Sequence, residues 1–519
     1  MATTNGSASP PKMSHVNLMT DTIIASLPPS ALRSILRSML SSNPSITSIF
    51  ESQTKRYLSV KSASPEDVDV GTFRAMLGCG MIWEAVGILI QGGLLSKAEG
   101  KEGVTDGDIV QAMTVLQKDL SVRRRELSLQ EGAKLEILLN QLVDSGRGRE
   151  DGGFERGTEA LRRILGLERR DEAVRDGGEM QAFTVPDLPN SIETFELAGV
   201  SLPRLFSGLW QLSSPSWGTA STASIQSQFE SYAAQGFTAY DMADHYGDAE
   251  ILFGRFRNSC ANPEAMFGAT KYCVFTPTQV TRDVVQANVS ERCERMQSDS
   301  IDLLQFHWQD YRNPQYMQAL RYLQEDQRVR MLGLCNFDTQ RMVEIVQSGI
   351  QVRTNQVQFS LVDTRPLYRM ALVCDRHGVK LLAYGTLCGG FIADKWLGKP
   401  EPELFLQEIT PSQRKYYEMI VNWGGWKLFQ ELLATLRSIA TKHNVAVSNV
   451  ATRWVLDFPC VGAVIVGTRM GVSGHAEENL KTYGWRLDED DQAGIEAVLS
   501  RSRRNKMIQL LGDCGGEYR

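Results

Sequence analysis

Residues 301–336 indicate the fold, and they read IDLLQFHWQDYRNPQYMQALRYLQEDQRVRMLGLCN. A short apolar run, Ile301–His307, precedes an amphipathic stretch, Gln315–Glu325, and a second apolar run follows at Met331–Asn336. Short apolar runs predict buried strands, and apolar residues at helical spacing between them predict a helix. The segment is therefore a predicted strand–helix–strand unit of a parallel sheet.

The same alternation extends in both directions, from about Thr194 to the end of the sequence. The predicted strands are Leu205–Leu212, Ala239–Met242, Ala265–Tyr272, Ile301–His307, Met331–Asn336, Thr354–Phe359, Lys380–Tyr384 and Ala463–Gly467. Predicted helices between them are Thr222–Gln235, Thr278–Gln297, Gln315–Glu325, Thr339–Ser348, Arg365–His377 and Lys427–Phe458. Eight strands in about 320 residues predict an α/β fold, a (β/α)8 TIM barrel over residues 194–519. A dinucleotide-binding doubly wound sheet would need a glycine-rich fingerprint after an early strand, and none is present.

The amino-terminal third has a different pattern. Residues 1–18 are predicted to be disordered, and residues 19–167 carry apolar side chains at helical spacing throughout. This predicts an all-α domain of roughly five or six helices, whose role the sequence does not reveal. Its charged run Arg123–Arg125 is more typical of a solvated helix face than of a binding patch. Residues 168–193, punctuated by Pro186 and Pro189, are predicted to be a linker.

Composition excludes several classes of protein. The formal net charge is −6, which argues against a nucleic-acid partner. The nine cysteines are scattered without a CxxC pair, which favours reduced thiols in the cytoplasm over disulfides or a metal site. The most apolar segment, Met76–Leu95, contains Glu84 and several glycines and is predicted to be buried helix, so no membrane partner is expected.

Four chemically complementary side chains stand at successive predicted strand ends. Asp241 lies at the end of the second strand with Tyr246 just beyond it, Lys271 lies at the end of the third strand, and His307 ends the fourth. The carboxyl ends of barrel strands meet at one rim. An ammonium paired to a carboxylate would lower the pKa of a neighbouring phenol and make it a general acid, while an imidazole orients the carbonyl oxygen. Each residue alone could be a local hydrogen-bonding group, but the set of four favours a catalytic site.

Several longer motifs accompany these residues, and together they resemble the aldo-keto reductase superfamily from about residue 200 onward. They are Asp241-x4-Tyr246-Gly247, Thr270-Lys271, Phe306-His307, VRMLGLCNF (329–337), NQVQ (355–358) and AYGTL (383–387). The resemblance implies hydride transfer from nicotinamide C4 to a carbonyl carbon. It further implies that Tyr246 is the acid, that Asp241 and Lys271 tune it, and that His307 positions the carbonyl.

The resemblance also implies a cofactor site. Asn336 and Gln356 would hydrogen-bond the nicotinamide carboxamide, and Tyr384 would stack on its ring. The other implied cofactor-binding residues are Gly385, Leu387, Gly467, Thr468, Arg469, His475, Glu478 and Asn479. The residue before Asn336 is Cys335, where the family commonly has serine. The resemblance therefore does not imply the hydrogen bond that the serine hydroxyl would make to the nicotinamide carboxamide.

The segment VGTRMGVSGHAEEN (466–479) resembles the adenosine-phosphate loop of the family, with Glu478-Asn479 opposite the adenine. A guanidinium grips a phosphate bidentately, so Arg469 is the candidate for the ribose 2′-phosphate. NADP(H) is therefore favoured over NAD(H), although His475 occupies the region where many members place an arginine.

A long connection rich in glycine, proline and aromatic residues follows Cys388 and is predicted to lie on the barrel rim. Trp210, Trp308 and Trp396 are predicted walls of a pocket for a hydrophobic or aromatic carbonyl compound. The aromatic side chains could equally pack the loop onto the barrel.

Two functions follow from these patterns. The first is an NAD(P)H-dependent oxidoreductase that reduces an aldehyde or ketone to an alcohol. The alternative is a cofactor-binding, non-catalytic barrel that serves as a regulatory or scaffold subunit, with a protein partner bound to the helical domain. The combination of Asp241, Tyr246, Lys271 and His307 favours the first, because a scaffold needs none of them.

Overall fold

The described part of the amino-terminal region consists of α-helices and short connections between them. The computed structural model describes residues 29–61, 68–91, 94–95, 103–123, 125–146, 153–167, 183–213, 220–275, 277–402 and 409–518. Within these residues, the α-helices of the amino-terminal region are α1 (Pro29–Ser42), α2 (Thr47–Lys61), α3 (Val70–Gly78), α4 (Ile82–Gln91), α5 (Asp106–Arg123), α6 (Leu129–Gly146) and α7 (Glu155–Ile164). The segment predicted to be disordered, 1–18, and residues 168–182 of the predicted linker lie outside the described residues.

The helical region has a core of its own. Asp69 caps α3, where its side chain accepts a 2.7 Å hydrogen bond from the Thr72 amide. Helices α5 and α7 approach closely at Gly157, where a Cβ would lie 2.6 Å from Cβ of Ile109. The buried side chains between the helices include Phe73, Met76, Ala85, Leu89, Ile109, Leu116, Leu138 and Leu161. This cluster is separate from the core of the strand-containing region.

Residues 194–518 form a closed barrel of eight parallel strands, which confirms the predicted fold. The strands of the whole region are β1 (Thr194–Leu197), β2 (Val200–Pro203), β3 (Leu205–Gly208), β4 (Ala239–Asp241), β5 (Phe267–Val274), β6 (Leu303–Trp308), β7 (Leu332–Cys335), β8 (Thr354–Gln358), β9 (Lys380–Tyr384) and β10 (Val461–Gly467). The barrel closes in the order β10-β3-β4-β5-β6-β7-β8-β9.

Helices surround the barrel in the expected alternation. They are α8 (Thr222–Ala234), α9 (Ala249–Ser259), α10 (Arg282–Arg295), α11 (Tyr316–Glu325), α12 (Thr339–Gln347), α13 (Met370–His377), α14 (Pro411–Trp423), α15 (Gly425–His443), α16 (Val447–Leu456), α17 (Ala476–Leu480), α18 (Glu489–Leu499) and α19 (Arg504–Leu511). The single predicted helix Lys427–Phe458 is wrong, because Asn444 at φ 54° ends α15 in the left-handed conformation and α16 begins after it.

An antiparallel hairpin of β1 and β2 precedes the barrel, and the sequence patterns did not predict it. Its turn uses Ala198 and Gly199, both at positive φ. Leu197 and Leu202 of the hairpin join a buried cluster with interior side chains of the barrel such as Phe206. The hairpin therefore closes the amino-terminal end of the barrel, and the carboxyl ends of the strands remain for a functional site.

The described part of the predicted linker packs on the barrel. Phe183 forms a bridge to Cys260, and the Val185 amide and carbonyl exchange hydrogen bonds of 2.9 and 2.8 Å with the Asn262 side chain. Val185 is buried in the core of the barrel region. Residues 183–193 thus extend the barrel unit.

The helical region contacts the barrel beside the loop that follows β4. Arg156 of α7 forms a buried, bidentate ion pair with Asp248, at 2.7 Å from Nε and 2.5 Å from Nη2. Arg255 of α9 pairs with Glu159 of α7. None of the helices in the described part of the chain combines the length and hydropathy that a membrane span requires.

Candidate active site

Tyr246 lies in the turn between β4 and α9. The next residue, Gly247, has a φ of 60°, and a Cβ there would lie 2.9 Å from the carbonyl oxygen of Leu212. Arg295 of α10 donates through Nη2 to the Gly247 carbonyl, and its Nε lies 2.7 Å from the Glu250 carboxylate. The turn that carries the phenol is thus held by a left-handed glycine and by a buried arginine.

Asp241 is the centre of a buried polar network at the rim. Lys271 donates through Nζ to Asp241 Oδ2 at 2.6 Å and to the Met242 carbonyl at 2.8 Å. Gln305 and Gln356 donate through Nε2 to Asp241 Oδ1 at 2.9 and 2.7 Å. A buried carboxylate is stable when it is paired and hydrogen-bonded in this way. Asp241 and Lys271 therefore stand together, as the sequence predicts.

The same network gives Gln356 a contact that sequence reasoning missed. Its amide nitrogen is directed at Asp241 and at Gln305 Oε1, which is 2.9 Å away, rather than outward from the rim. Gln305 itself was not predicted. It precedes His307 by two residues on β6, so the period-2 alternation of a strand places both side chains on the same face.

Lys271 lies close to the phenol, with Nζ 4.9 Å from the centroid of the Tyr246 ring. Burial lowers the pKa of Lys271, but the charge and hydrogen bond of Asp241, together with the other groups around the amine, outweigh burial and raise it, so the ammonium stays charged. Burial raises the pKa of Tyr246 above its ordinary value, Lys271 opposes this, and Asp241 adds to it. The expectation that the pKa of Tyr246 is lowered is therefore wrong, because desolvation of the phenolate outweighs the neighbouring ammonium. The phenol is protonated at neutral pH.

His307 is buried on β6, and its orientation is fixed by a backbone contact. Its Nδ1 lies 3.0 Å from the Cys335 carbonyl oxygen. A carbonyl oxygen only accepts hydrogen bonds, so Nδ1 carries a proton. The His307 ring lies 5.5 Å from the Phe275 ring, and His245 lies between Phe275 and Tyr246 at centroid distances of 5.2 and 4.8 Å.

Asn336 and Tyr384, two of the three residues expected at the nicotinamide, are in direct contact. The Tyr384 hydroxyl donates to Asn336 Oδ1 at 2.9 Å. Asn336 has a φ of 58°, an unusual backbone conformation that is concentrated at functional sites. Tyr518, which sequence reasoning missed, places its hydroxyl 3.0 Å from that of Tyr384 and its ring 5.8 Å from His307. The segment that precedes Arg519 therefore lies across this part of the rim.

The loop after β10 borders a cavity of about 610 Å³. Its far wall is the polar face of α8, with Ser224, Ser227, Gln228 and Ser231. The near wall is the segment 471–478, which includes His475, Glu477 and Glu478. Of the predicted residues, His475 and Glu478 line this cavity, while Arg469 and Asn479 stand at the two ends of the loop.

The remaining predicted cofactor residues lie at the carboxyl ends of β9 and β10. Gly385 is at a φ of 70° beside the Tyr416 hydroxyl, and Leu387 is partly buried against the core. Gly467 ends β10, and Thr468 donates through Oγ1 to the Gly208 carbonyl at 2.9 Å. These positions are on the same rim as Asp241 and His307.

The three predicted pocket tryptophans have different environments. Trp210 follows β3 at the rim and is 40% exposed. Trp308 is buried against Tyr316, and its Nε1 donates to the carbonyl groups of Asp310 and Asn313. Trp396 packs on Phe391 and Trp426. The contacts of Trp308 and Trp396 are those of packing side chains. Trp308 points outward because it neighbours inward-facing His307 on the strand. Trp210 remains the predicted pocket wall.

Comparisons with known proteins point to one family. The family model described as the Aldo/keto reductase family matches residues 204–500. The chain is 26% identical over 319 residues to the chloroplastic pyridoxal reductase of Arabidopsis thaliana, which covers 56% of this chain and 81% of that protein. It is 24% identical over 319 residues to the aldo-keto reductase YhdN of Bacillus subtilis, covering 59% and 92%.

Two further similarities extend this result. The flagellar radial spoke protein 5 of Chlamydomonas reinhardtii is 29% identical over 182 residues, which cover 31% of this chain and 34% of that protein. Among solved structures, a glycerol dehydrogenase of Gluconobacter oxydans superposes with a TM-score of 0.51 at 22% identity, covering 60% of this chain and 96% of the other. At that identity the superposition shows the fold alone.

Proposed function

The chain belongs to the aldo/keto reductase family, and from this membership we propose that it reduces an aldehyde or ketone to an alcohol with hydride from NADPH and a proton from Tyr246. The observation that carries the proposal is the buried Lys271–Asp241 pair at 2.6 Å, with Lys271 Nζ 4.9 Å from the Tyr246 ring. A buried ammonium held beside a phenol at the strand ends fits a proton donor, because the positive charge stabilises the phenolate that forms when the proton leaves.

The residues of the rim fit a nicotinamide dinucleotide. The contact between Asn336 and Tyr384 offers an amide and an aromatic ring for the nicotinamide. The cavity of about 610 Å³ beside residues 471–478 offers hydroxyl groups, amides and carboxylates for the adenosine end. We therefore assign Asn336 and Tyr384 to the nicotinamide, and His475 and Glu478 to the adenosine. When bound, the cofactor supplies the hydride.

The side chains of this protein have distinct tasks in the proposed reaction. Tyr246 donates its hydroxyl proton to the carbonyl oxygen as negative charge develops there. Lys271 stabilises the resulting phenolate through its nearby positive charge, while Asp241 holds the ammonium in place. His307, fixed through Nδ1 on the Cys335 carbonyl, directs its other edge toward the site and orients the substrate oxygen.

The preference for NADPH over NADH rests on Arg469. Among the described residues that line the adenosine cavity there is no lysine or arginine, and Glu477 and Glu478 are acidic. A 2′-phosphate would therefore depend on the guanidinium of Arg469 at the start of the loop. A lower KM for NADPH than for NADH supports this assignment, and a lower KM for NADH contradicts it.

The decisive experiment is the substitution Tyr246→Phe. The assay follows the oxidation of NADPH with a panel of aromatic aldehydes and diones. We expect the wild type to oxidise the cofactor and Tyr246→Phe to do so at a rate at least about 100-fold lower, because the substitution removes the proton donor. Cofactor binding, followed by quenching of tryptophan fluorescence, is expected to be unchanged. The matched control is Tyr368→Phe, which changes a tyrosine that is 61% exposed and lies outside the assigned site.

A second candidate function is a cofactor-binding scaffold, which the likeness to flagellar radial spoke protein 5 favours. The same experiment separates the two. Equal background rates for the wild type and Tyr246→Phe, together with tight NADPH binding by both, would support the scaffold and contradict the reductase.

A further inference from the structure

Helix α5 of the helical region lies against the loop that carries Tyr246. Val110 on this helix is 3.6 Å from the position that a Cβ of Gly247 would occupy. About two turns further on, Gln117 accepts a long, 3.5 Å hydrogen bond from Arg295, the same arginine that holds the Gly247 carbonyl. The next residue, Lys118, therefore stands at the border between the helical region and the rim of the barrel.

The position of α5 is fixed by buried polar contacts on both sides. Asp106, the first residue of α5, accepts hydrogen bonds of 3.1 and 2.7 Å from the amides of Arg156 and Gly157. Arg156 in turn forms the buried pair with Asp248 of the barrel. Buried charges are retained only where they are paired, so these contacts define one docking geometry for α5.

The ammonium of Lys118 faces the rim of the barrel and forms a long ion pair with Asp244. Its Nζ lies 3.9 Å from Asp244 Oδ2 and 5.0 Å from the centroid of the Phe275 ring, and 38% of the side chain is exposed. Asp244 already receives hydrogen bonds from His245 Nδ1 at 2.9 Å and from the Cys273 amide at 3.1 Å. An ammonium has three donors. The distant contact with Asp244 thus leaves Lys118 able to bind a second anion.

Phe275 connects Lys118 with the candidate active site. This ring follows β5, is 44% exposed, and lies 5.5 Å from the His307 ring and 5.2 Å from the His245 ring. His245 is adjacent to Tyr246 in sequence, with ring centroids 4.8 Å apart. About one aromatic ring therefore separates the ammonium of Lys118 from the groups assigned to the carbonyl.

We propose that Lys118 is a specificity-determining residue, supplied by the helical region, that selects carbonyl substrates bearing a carboxylate or another anionic group. The inference rests on the proposed reductase function and names the class of substrate for that site. The substrate presents its carbonyl carbon to the cofactor and its oxygen to Tyr246. Its anionic group is separated from the carbonyl by a spacer the size of one aromatic ring. The anionic group binds Lys118 at the edge of the site, and the spacer packs against Phe275.

Asp244, His245 and Cys273 also bring three possible metal-binding atoms within 4.8 Å of one another. The charge of Lys118 lies next to that group, which disfavours a cation there. The arrangement is better suited to an anion that approaches Lys118 from the solvent side.

The test compares two aldehydes of the same shape, 4-carboxybenzaldehyde and its neutral carboxamide analogue, with the full-length protein and NADPH. We expect the wild type to have a kcat/KM about 5-fold higher for the carboxylate, the size of effect that a partly exposed ion pair gives. In Lys118→Met this preference is expected to disappear, because the KM for the carboxylate rises while the kcat/KM for the amide changes little. Lys118→Arg is expected to retain the preference. The matched control is Lys134→Met, which removes an exposed lysine from α6.

The outcomes are distinct. An equal loss for both aldehydes in Lys118→Met, or no loss for either, would overturn the assignment of Lys118 while leaving the reductase function intact. If the wild type turned over neither aldehyde nor any member of the wider panel, the proposed function itself would fail, and the role of Lys118 with it. A preference that disappears at high ionic strength in the wild type, and is absent from Lys118→Met, would support the ion pair.

Discussion

At the scale of single residues, the candidate site depends on how each charge is compensated. Asp241 accepts three side-chain hydrogen bonds, from Lys271, Gln305 and Gln356, so its charge is stable in a buried position. The ammonium of Lys271 is held toward Tyr246 by this pairing. The pKa of Tyr246 is raised chiefly because the phenol is buried, and the charge of Lys271 only partly opposes this effect. A phenol that remains protonated is suited to donating a proton during reduction.

The direction of this shift predicts the pH dependence. Because burial raises the pKa of Tyr246, the acid form persists at least to the ordinary tyrosine pKa of about 10. The kcat for reduction is therefore expected to stay constant from neutral pH to about pH 9, whereas alcohol oxidation, which needs the phenolate, is expected to rise only in alkaline solution. Lys271→Met removes the charge that lowers the pKa, so its oxidation rate should rise at still higher pH.

These profiles are measured by steady-state kinetics in both directions, with Tyr246→Phe as the control for residual rates. A decline of the reduction rate near pH 7 in the wild type, absent from Tyr246→Phe, would contradict the raised pKa.

At the scale of secondary-structure elements, the turn between β4 and α9 is the point where the parts of the molecule meet. It contains Tyr246, and Gly247 and Asp248 of the same turn contact residues from α5, α7 and α10. Strand β4 itself is only three residues long, so the turn has little support from the sheet. The neighbouring helices therefore define the position of the phenol.

The pair Arg156–Asp248 tests this dependence. In Arg156→Met, Asp248 is left as a buried carboxylate without its partner, and the expected loss of unfolding free energy is about 3 kcal/mol. The kcat is expected to fall as well, because Asp248 is two residues from Tyr246. Chemical denaturation and steady-state kinetics measure the two effects.

The control for this prediction is the double variant Arg156→Met/Asp248→Leu, in which both charges are replaced by apolar groups. Its stability is expected to return close to that of the wild type, since no unpaired charge remains. A single variant that is as stable and as active as the wild type would show that the turn holds its geometry without this ion pair.

At the scale of the whole molecule, the helical region and the barrel have separate cores but share polar contacts at the rim. The family match begins at residue 204, so the helical region lies outside the part of the chain that the family model matches. Its contacts with residues 244–248 place it next to the candidate site rather than at the closed end of the barrel. The two parts are therefore expected to act together.

Removal of residues 1–182 tests this expectation. The remaining chain begins at Phe183, which keeps the contacts of Phe183 and Val185 with the barrel. We expect the melting temperature and the kcat to fall, because Asp248 loses its partner and Gly247 loses its contact with α5. A chain that begins at Pro29 serves as the control, since it retains every described helix. Unchanged melting temperature and kcat in the shorter chain would contradict the expectation.

Much of the barrel and of the candidate site follows from the sequence alone. Alternating strands and helices are encoded by local periodicity, and the carboxyl ends of parallel strands must meet at one rim. The positions of Asp241, Lys271 and His307 at that rim were therefore predictable. One wrong prediction was also local in origin, since the end of α15 at Asn444 follows from known turn preferences. The outward orientation of Trp308 likewise follows from the alternation of side chains along a strand.

Other features depended on tertiary structure, because they join residues that are far apart in sequence. Gln356 reaches Asp241 across 115 positions, and Arg156 reaches Asp248 across 92. The pKa of Tyr246 depends on how much protein surrounds the phenol, which no short motif encodes. Local periodicity, which depends on neighbouring residues alone, predicts the barrel and the side chains at its strand ends. Packing over long distances places the helical region beside the candidate site and Lys118 within 3.9 Å of Asp244.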